Sequence, residues 1–317
     1  AGAVDFHEAS CLTLKNRLQL YGVKRQAADK MVIHGDLTSR STWNSFHSLN
    51  LKNVSVLLAG VPCQTFSSVG KAQDRHSMKK DQRNWLYVHF LKYLKSIMPR
   101  VVVFENVQGI LSSRPQGFRV FDDLRKRIKG IGYDIIDDER QILLNAVDFA
   151  IPQNRKRVFL IGVRRNLKID PQLIYDDLQR KIKKLSKFKP TVKDAIRDLP
   201  RLLPGQGSEE MSFRSKAENK YVSGLRKKSA RTLYNHVCRN HNRDDQKRFK
   251  FLSKNGWELR DLQKTRPDLV HHNPMHFKNR YTVQQWDKPG KTVVSHLYKD
   301  GNLFIHPDPK QQRTFTV

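Results

Sequence analysis

Short apolar runs alternate with amphipathic stretches through the first half of the chain, and this alternation predicts its architecture. The apolar runs have the length and aliphatic character of buried strands, and they lie at residues 1–6, 31–37, 54–59, 101–104 and 158–163. A further strand is predicted over 135–143. Apolar residues recur at helical spacing over 8–20, 85–97 and 118–131. Strands that alternate with helices predict an α/β fold with a mostly parallel sheet.

One of these strands, at residues 54–59, leads directly into a cysteine. We expect it to be buried on both faces of the sheet. It stops at Gly60 and delivers Pro62, Cys63 and Gln64 into a polar segment, 67–84, that is long enough to be a functional loop. Because open α/β sheets bind ligands at the carboxyl ends of their strands, the thiol is a candidate nucleophile. Free cysteine is also often buried, so this stretch alone leaves a structural thiol equally open.

The character of the sequence changes at about residue 164, where it becomes polar, basic and weakly periodic. We therefore predict a first domain at 1–165, a smaller, irregular domain at 166–280, and a return toward the first domain at 281–317. Residues 202–222 carry Pro and Gly and are interpreted as a loop. Basic and aromatic residues interleave over 226–257, which suits contacts with phosphates and bases. A solvated basic face over a small core is the alternative.

The charge balance of the 317 residues points to a polyanionic partner. Lysine and arginine number 60 against 30 aspartate and glutamate, a formal net charge of +30. Nucleic acid is the expected partner, and an anionic membrane surface is the weaker alternative. No apolar run reaches the roughly 18 residues of a membrane-spanning helix, and the first residues lack a signal-peptide pattern. Three scattered cysteines suit a reducing compartment, so we expect a cytoplasmic protein without a membrane partner.

A histidine-containing stretch raises the question of a metal. His236, Cys238 and His241 lie close together in sequence, but no second Cys/His pair with zinc spacing accompanies them. We therefore expect no metal site, and we expect these histidines to lie at the surface or to contact phosphates.

Three strand ends carry groups that suit one reaction, the methylation of cytosine at C5. The groups are the Cys63 thiol, the Glu105 carboxylate and, after the turn at Pro152, the guanidinium groups of Arg155 and Arg157. Cytosine C5 is a poor nucleophile, but addition of a thiolate at C6 converts the ring to an enamine that can attack a sulfonium methyl group. A carboxylic acid that protonates or hydrogen-bonds ring N3 makes this addition feasible.

The motifs around these groups resemble those of a known family. Pro62-Cys63-Gln64, Glu105-Asn106-Val107 and Gln153-x-Arg155-x-Arg157, in this order, resemble the signature motifs of the DNA cytosine-5 methyltransferases of bacterial restriction-modification systems. The resemblance covers nearly the whole chain. It implies a Rossmann-like S-adenosylmethionine-dependent methyltransferase domain with a mostly parallel sheet, followed by a smaller, irregular target-recognition domain that contacts double-stranded DNA. It also implies a monomer that flips its target base out of the duplex.

The resemblance also implies a role for individual residues. Cys63 would be the nucleophile, Glu105 the partner of cytosine N3, and Arg157 a donor to cytosine O2. Arg155 would orient the acid or bind phosphate, and Gln64 and Ser67 match positions near the catalytic loop. The residues that match the family's S-adenosylmethionine pocket are Asp5, Phe6, Asp36, Leu37, Pro62 and Leu86.

Two segments of the family pattern are missing from this sequence. The glycine-rich loop that cradles the methionine end of the cofactor is expected just before Asp5, and the final motif is expected after Val317. In addition, position 5 holds Asp where the family usually has Glu, which gives a shorter reach to the ribose. We therefore hypothesise that these 317 residues on their own bind the cofactor weakly and are incomplete for activity.

Two alternatives remain open. A tRNA cytosine-5 methyltransferase of the same fold would share Cys63 and Glu105, but the long region 164–280 favours a separate DNA-reading domain. A catalytically inactive, basic nucleic-acid-binding relative would keep the charge without the reaction. The recognised DNA sequence is not readable, because it depends on a few side chains that meet base edges.

Overall fold

The computed structural model of the chain describes residues 1–62, 82–115, 117–217, 219–226, 231–256, 258–270, 281–294, 297 and 301–316. The chain divides into two compact units. The first unit comprises Ala1–Leu144 and Lys156–Arg180, and the second comprises Asn145–Arg155 and Lys181–Val317. The functional boundaries predicted at 165 and 280 stay a prediction.

Strands and helices alternate through the first unit, as the sequence predicts. In chain order, the described strands are β1 (Ala3–Asp5), β2 (Val32–His34), β3 (Val56–Gly60), β4 (Val101–Val107), β5 (Tyr133–Ile135), β6 (Leu143–Asn145), β7 (Gln153–Asn154), β8 (Lys156–Arg164), β9 (Gly207–Ser212), β10 (Thr232–Val237) and β11 (Gly290–Lys291). The described α-helices are α1 (Glu8–Leu20), α2 (Arg25–Met31), α3 (Arg40–Ser48), α4 (Leu86–Ile97), α5 (Val120–Ile131), α6 (Glu139–Ile142), α7 (Gln172–Leu185), α8 (Val192–Ile196), α9 (Lys220–Leu225), α10 (Arg243–Asn255) and α11 (Leu259–Thr265).

The main sheet of the first unit has the strand order β3-β4-β8-β5, and β6 also pairs with β8. β3 is parallel to β4, whereas β8 is antiparallel to both β4 and β5. It follows that β3, β4 and β5 run in one direction and that β8 is the reversed strand. A separate pair, β1 and β2, is also parallel. The α/β fold is confirmed, with a mixed main sheet in which β8 pairs antiparallel with both β4 and β5.

Amphipathic helices cover the main sheet. α4 contributes Phe90 and Leu94 to the core, α5 contributes Phe121 and Leu124, and all four pack in one cluster with Phe104 at the centre of β4. Each of these side chains is at most 3% exposed. Fully burying a Leu or Phe side chain stabilises a fold by about 1.5–3 kcal/mol, so this cluster holds the middle of β4 against the two helices.

Two predictions about the strands are wrong. The β3 strand is not buried on both faces, because Val56 and Leu58 are 48% and 73% exposed, while Leu57 is half-buried. The predicted strand at 135–143 is instead the end of β5, a short connecting segment, α6 and the first residue of β6. Asp138 caps α6, since its Oδ1 accepts a hydrogen bond of 3.0 Å from the backbone N–H of Arg140. Capping by this aspartate starts a helix where the apolar residues at either end suggested a strand.

The second unit has its own small sheets and core. β9 and β10 pair in antiparallel fashion, and β7 pairs in parallel with β11. A cluster built on α10 and α11 contains Phe249, Leu252 and Leu262. The interpretation of 202–222 as a loop is wrong in part, because β9 and α9 include residues from this stretch. None of the helices in the described ranges is long and apolar enough to cross a membrane.

Candidate active site

The strand directions of the main sheet bring the predicted acid and one predicted arginine to the same sheet end. In the parallel β3–β4 pair, Gly60 lies opposite Glu105. β8 runs antiparallel to β4, so its first residues lie beside the last residues of β4, with Arg157 opposite Val107. The reversed direction of β8 therefore places Arg157 next to Glu105, although they are far apart in sequence.

Glu105 and Arg157 form an ion pair at this end of the sheet. Arg157 Nε lies 3.1 Å from Glu105 Oε1, and the two side chains are 17% and 36% exposed for Arg157 and Glu105, respectively. The second carboxylate oxygen, Oε2, lies near the end of β3, since a Cβ built on Gly60 would be 3.8 Å from it. The carboxylate is thus held by an arginine on one side, remains partly open to solvent, and borders the strand that leads to Pro62 and Cys63.

Asn106 fixes the chain where it leaves β3. Its side chain is only 1% exposed, and its Nδ2 donates a hydrogen bond of 3.2 Å to the carbonyl oxygen of Val61. Its Oδ1 accepts a hydrogen bond of 2.9 Å from the backbone N–H of Val107. Buried polar groups are costly without partners, so this arrangement holds the backbone just before Pro62. The sequence indicated no role for Asn106, although an amide within an otherwise apolar strand is a signal of one.

Cys63, Gln64 and Ser67 lie outside the described residues. The first described position before them, Pro62, is exposed and directly follows the Val61 carbonyl that Asn106 holds.

Arg155 belongs to the second unit. Its backbone N–H donates to Asn145 Oδ1 at 3.0 Å, and its Nη1 donates to the carbonyl oxygen of Val293 at 3.1 Å. Nearby, Thr292 Oγ1 donates to the carbonyl oxygen of Asn154 at 2.8 Å, which reinforces the β7–β11 pair. Arg157, for which the resemblance implies a contact with cytosine O2, is the arginine that contacts Glu105 here. The roles predicted for both arginines stay predictions.

The predicted cofactor residues Asp5, Phe6 and Asp36 lie at the carboxyl end of the β1–β2 pair. Asp5 is opposite His34, and the backbone N–H of Gly35 donates to the carbonyl oxygen of Asp5 at 2.9 Å. Both carboxylates are exposed, and the Phe6 ring is 71% exposed. An exposed aromatic ring beside two exposed carboxylates suits an adenine base and the hydroxyl groups of a ribose.

The Asp36 carboxylate is oriented by its own turn. Its Oδ1 accepts hydrogen bonds of 2.8 Å from both the backbone N–H and the hydroxyl of Thr38. These hydrogen bonds, the backbone one above all, lower the pKa of Asp36. The carboxylate is therefore ionised at neutral pH and can accept a hydrogen bond from an amino group.

The other predicted cofactor residues are on neighbouring segments of the first unit. Leu37 is half-buried beside Asp36, and Leu86 is half-buried at the start of α4. Aromatic packing connects these segments, because the Tyr93 ring of α4 contacts the rings of Trp43 and Phe46 of α3 at centroid distances of 4.8 and 4.9 Å. This packing holds α3 against the middle of α4, about two helical turns after Leu86.

The histidines expected at the surface or on phosphates are buried in the second unit. His236 is 2% exposed, and its ring nitrogens lie 2.9 Å from the Pro200 carbonyl oxygen and 3.0 Å from Thr316 Oγ1. His241 is 7% exposed and its Nε2 lies 3.3 Å from Thr314 Oγ1. That surface expectation is wrong, because both rings pack within the unit. Within the described part of the chain, no group of three His, Cys, Asp or Glu side chains could hold a metal ion.

Comparison with solved structures defines the class of fold. The chain matches a structure described as a DNA modification methyltransferase encoded within a prophage (E. coli), with a TM-score of 0.63, 20% sequence identity, and coverage of 100% of this chain and 79% of that chain. The Rossmann-like methyltransferase fold is therefore confirmed.

Comparison of sequences defines the family. Residues 12–317 match the family model described as C-5 cytosine-specific DNA methylase. The type II methyltransferase M.Bpa9945I of Bacillus paralicheniformis is 30% identical over 96% of this chain and 70% of its own length. The type II methyltransferase M.DdeI of Desulfomicrobium norvegicum is 33% identical over 61% of this chain and 43% of its own length. The chain belongs to the C-5 cytosine-specific DNA methylase family.

Proposed function

We propose that this protein transfers a methyl group from S-adenosylmethionine to C5 of a cytosine in double-stranded DNA, through a covalent adduct between Cys63 and C6. The observation that carries the proposal is the Glu105–Arg157 ion pair, because it sets a partly exposed carboxylate at the end of β4, beside the exit of β3 toward Cys63. The family and the fold support the same reaction class.

The reaction divides between a nucleophile and an acid. The Cys63 thiolate adds to C6, forming the S–C6 bond, and the electron pair displaced from the C5–C6 bond makes C5 nucleophilic. Glu105 hydrogen-bonds or protonates ring N3 during this addition, and Arg157 holds the carboxylate in position. When bound, S-adenosylmethionine supplies the electrophilic methyl group that C5 takes up. Loss of the C5 proton then re-forms the C5–C6 double bond and releases the thiolate.

The proposed cofactor site is the end of the β1–β2 pair together with the start of α4. The exposed Phe6 ring would stack on the adenine, Asp5 would accept hydrogen bonds from the ribose, and Asp36 would accept one from the adenine amino group. Leu37, Pro62 and Leu86 would supply apolar contacts. Support for this placement is the packing of α3 on α4 and the exposure of all three polar or aromatic contacts.

The proposed substrate is duplex DNA, and the target cytosine is flipped out of the stack because a stacked base shields C6. The net charge of +30 supports contacts along the phosphate backbone. Similarity to type II methyltransferases supports sequence-specific recognition and a place in restriction-modification, in the bacterial cytoplasm.

The test is covalent trapping combined with methyl transfer. We expect the product of the full gene, which avoids the weak cofactor binding hypothesised for this chain alone, to form a denaturant-resistant complex with duplex DNA that carries 5-fluorocytosine, and to transfer labelled methyl groups to duplex DNA but not to tRNA. Cys63→Ser should abolish both signals, whereas Cys238→Ser, which changes a buried thiol of the second unit, should keep them. Methyl transfer that persists in Cys63→Ser, or that prefers tRNA, would contradict the proposal.

A further inference from the structure

The second unit contains a cavity of about 660 Å³ with a strongly cationic lining. Its volume falls within the range of about 300–1,000 Å³ that is typical of ligand sites. The cationic side chains come from separate segments of the unit, and they are Lys193, Arg197, Arg201, Arg214, Lys310 and Arg313. Among the described residues that line the cavity, Asp308 is the single carboxylate. The lining therefore carries a large excess of positive charge.

Arg313 is the most informative of these cations, because it is buried and its hydrogen-bond partners are neutral. It is 3% exposed. Its Nε and Nη2 donate to Gln311 Oε1 at 3.1 and 2.9 Å, and its Nη1 donates to the carbonyl oxygen of Thr314 at 2.9 Å. Burial lowers the pKa of Arg313, the direction expected when a cation loses water. Among the described residues, no carboxylate accepts a hydrogen bond from this guanidinium, although the charge of Asp308 acts on it, and a buried cation with so little compensation favours the approach of an anion.

Asp308 is already engaged by other groups. Its Oδ1 accepts a hydrogen bond of 3.0 Å from the backbone N–H of Lys310, and its Oδ2 accepts one of 3.1 Å from Gln311 Nε2. Arg201 Nε also lies 3.8 Å from Oδ2. One carboxylate is thus shared by several donors, and among the described residues that line the cavity it is outnumbered by cationic side chains.

The remaining polar groups of the wall do not change this balance at neutral pH. Burial holds the pKa of His236 below its usual value and that of His306 down to about 3, so both rings are uncharged. Accordingly, His306 Nδ1 accepts a hydrogen bond of 3.1 Å from the backbone N–H of Asp308. The rings of Trp286 and Phe315 pack against His306 at centroid distances of 5.5 and 5.8 Å. The cavity combines a cationic rim with a neutral, partly aromatic wall.

We propose that this cavity binds phosphate groups, carried either by a nucleotide or by a nucleic-acid strand. Arginine and lysine together are the usual ligands of phosphate, and charge-assisted hydrogen bonds are among the strongest that proteins form. The aromatic wall suits the sugar or base attached to such a phosphate. The nucleic-acid source rests on the proposed function, whereas the phosphate chemistry rests on the lining alone.

The first experiment titrates the chain with inorganic tripolyphosphate by calorimetry. Arg214→Gln/Lys310→Gln removes two exposed cations of the rim, and Lys250→Gln/Lys254→Gln removes two exposed cations of α10, outside the cavity. We expect the dissociation constant to rise at least about tenfold in the rim variant and to stay within about twofold in the α10 variant. No binding by the unmodified chain, or equal weakening in both variants, would overturn the proposal.

The second experiment identifies the source of the phosphate. The logarithm of the binding constant for duplex DNA is measured against the logarithm of salt concentration, where each phosphate contact contributes about 0.9 to the slope. A slope reduced by about 1.8 in the rim variant, and less in the α10 variant, identifies a DNA strand as the ligand. An unchanged slope together with lost tripolyphosphate binding identifies a free nucleotide. Neither measurement involves methyl transfer, so failure here is separable from failure of the proposed reaction.

Discussion

Charge is balanced at the end of the β3–β4–β8 sheet, whereas the cavity of the second unit has an excess of positive charge. At the sheet end, one carboxylate meets one guanidinium, Glu105 with Arg157, and the acid remains partly exposed. Among the described residues that line the cavity, six are cationic and one, Asp308, is a carboxylate, and the buried Arg313 donates its hydrogen bonds to neutral acceptors. The first arrangement suits a group that acts on a substrate atom, while the second suits an anion-binding site.

The contrast shows that the positive charges of the chain, +30 in net, serve different purposes in different regions. A balanced pair can orient a carboxylate without attracting phosphate, because its fields cancel over a few ångströms. An unbalanced cluster attracts polyanions and gains most when counterions are released. Changes to the sheet end should therefore alter the rate of reaction, and changes to the cavity should alter binding.

The largest expected effect follows from removing the acid of the sheet end. Glu105→Gln keeps the size of the side chain but removes its ability to transfer a proton, so we expect the methyl transfer rate to fall by about 10²–10⁴-fold. DNA affinity should change little. The matched control is Asp134→Asn, since Asp134 also forms an ion pair of 3.1 Å, with Arg165, on the surface of the first unit. Single-turnover kinetics measures both variants, and an equal rate for the two would contradict the assignment.

The next effect concerns the buried histidines of the second unit and the pH dependence of folding. Burial lowers the pKa of His241 to about 4 and that of His306 to about 3. In the unfolded chain both titrate near pH 6.5, so above that pH they are neutral in both states and contribute no pH dependence. Between pH 6.5 and about 4 only the unfolded state takes up the protons, and stability falls as the pH decreases.

At pH 5 this linkage lowers the free energy of unfolding by about 2 kcal/mol for each of the two histidines, relative to pH 7. Urea denaturation at both pH values measures it. His241→Gln should reduce the difference by about 2 kcal/mol, whereas the exposed control His7→Gln should leave it unchanged. A difference between pH 7 and pH 5 that is as large in His241→Gln as in the unmodified chain would show that this ring is not a buried neutral group.

The sequence could predict the sheet end better than the cavity, for a physical reason. Gly60 and Glu105 each end a short apolar strand, so local patterns place both at the carboxyl edge of one sheet. The contact of Arg157 with Glu105 was beyond such patterns, because it depends on β8 running antiparallel to β4. The apolar pattern of residues 156–164 predicts a strand, but it does not indicate whether that strand runs parallel or antiparallel to its neighbours.

The second unit was harder to predict because its order comes from contacts distant in sequence. β9 reads Gly-Ser-Glu-Glu-Met-Ser, without apolar alternation, and it becomes a strand through its pairing with β10. The cavity collects cations from positions as far apart as Lys193 and Arg313. Burial of His236 and His241 likewise depends on Pro200 and Thr314, which no local spacing connects to them.

A smaller effect is expected at Asn106, which links the sheet end to the exit toward Cys63. Asn106→Leu removes the hydrogen bond to the Val61 carbonyl oxygen and leaves that buried acceptor unpaired, so we expect a loss of about 1–3 kcal/mol in unfolding free energy. Asn154→Leu is the control, because Asn154 is an exposed asparagine whose Oδ1 accepts a hydrogen bond of 2.9 Å from the side chain of half-buried Asn145. Urea denaturation compares the two. Equal stability of the Asn106 and Asn154 variants would mean that the hydrogen bond from Asn106 to the Val61 carbonyl oxygen does not stabilise the fold.

The smallest expected effect also sharpens the comparison most, because it changes the charge balance of the cavity without removing a cation. Asp308→Asn keeps the size of the side chain and an acceptor for the Lys310 N–H, but it removes the only carboxylate among the described lining residues. If the cavity is an anion site, tripolyphosphate should bind about fivefold more tightly, the equivalent of about 1 kcal/mol.

The matched control for this last variant is Asp244→Asn, which removes an exposed acid of α10 that lies 3.9 Å from Lys247, outside the cavity. It changes the net charge of the chain equally, so a general electrostatic effect would strengthen binding in both variants. Tighter binding in Asp308→Asn alone places the anion beside Asp308. Weaker binding in Asp308→Asn would instead mean that this carboxylate orients Arg201 and Lys310, and that the excess positive charge of the lining does not by itself determine affinity.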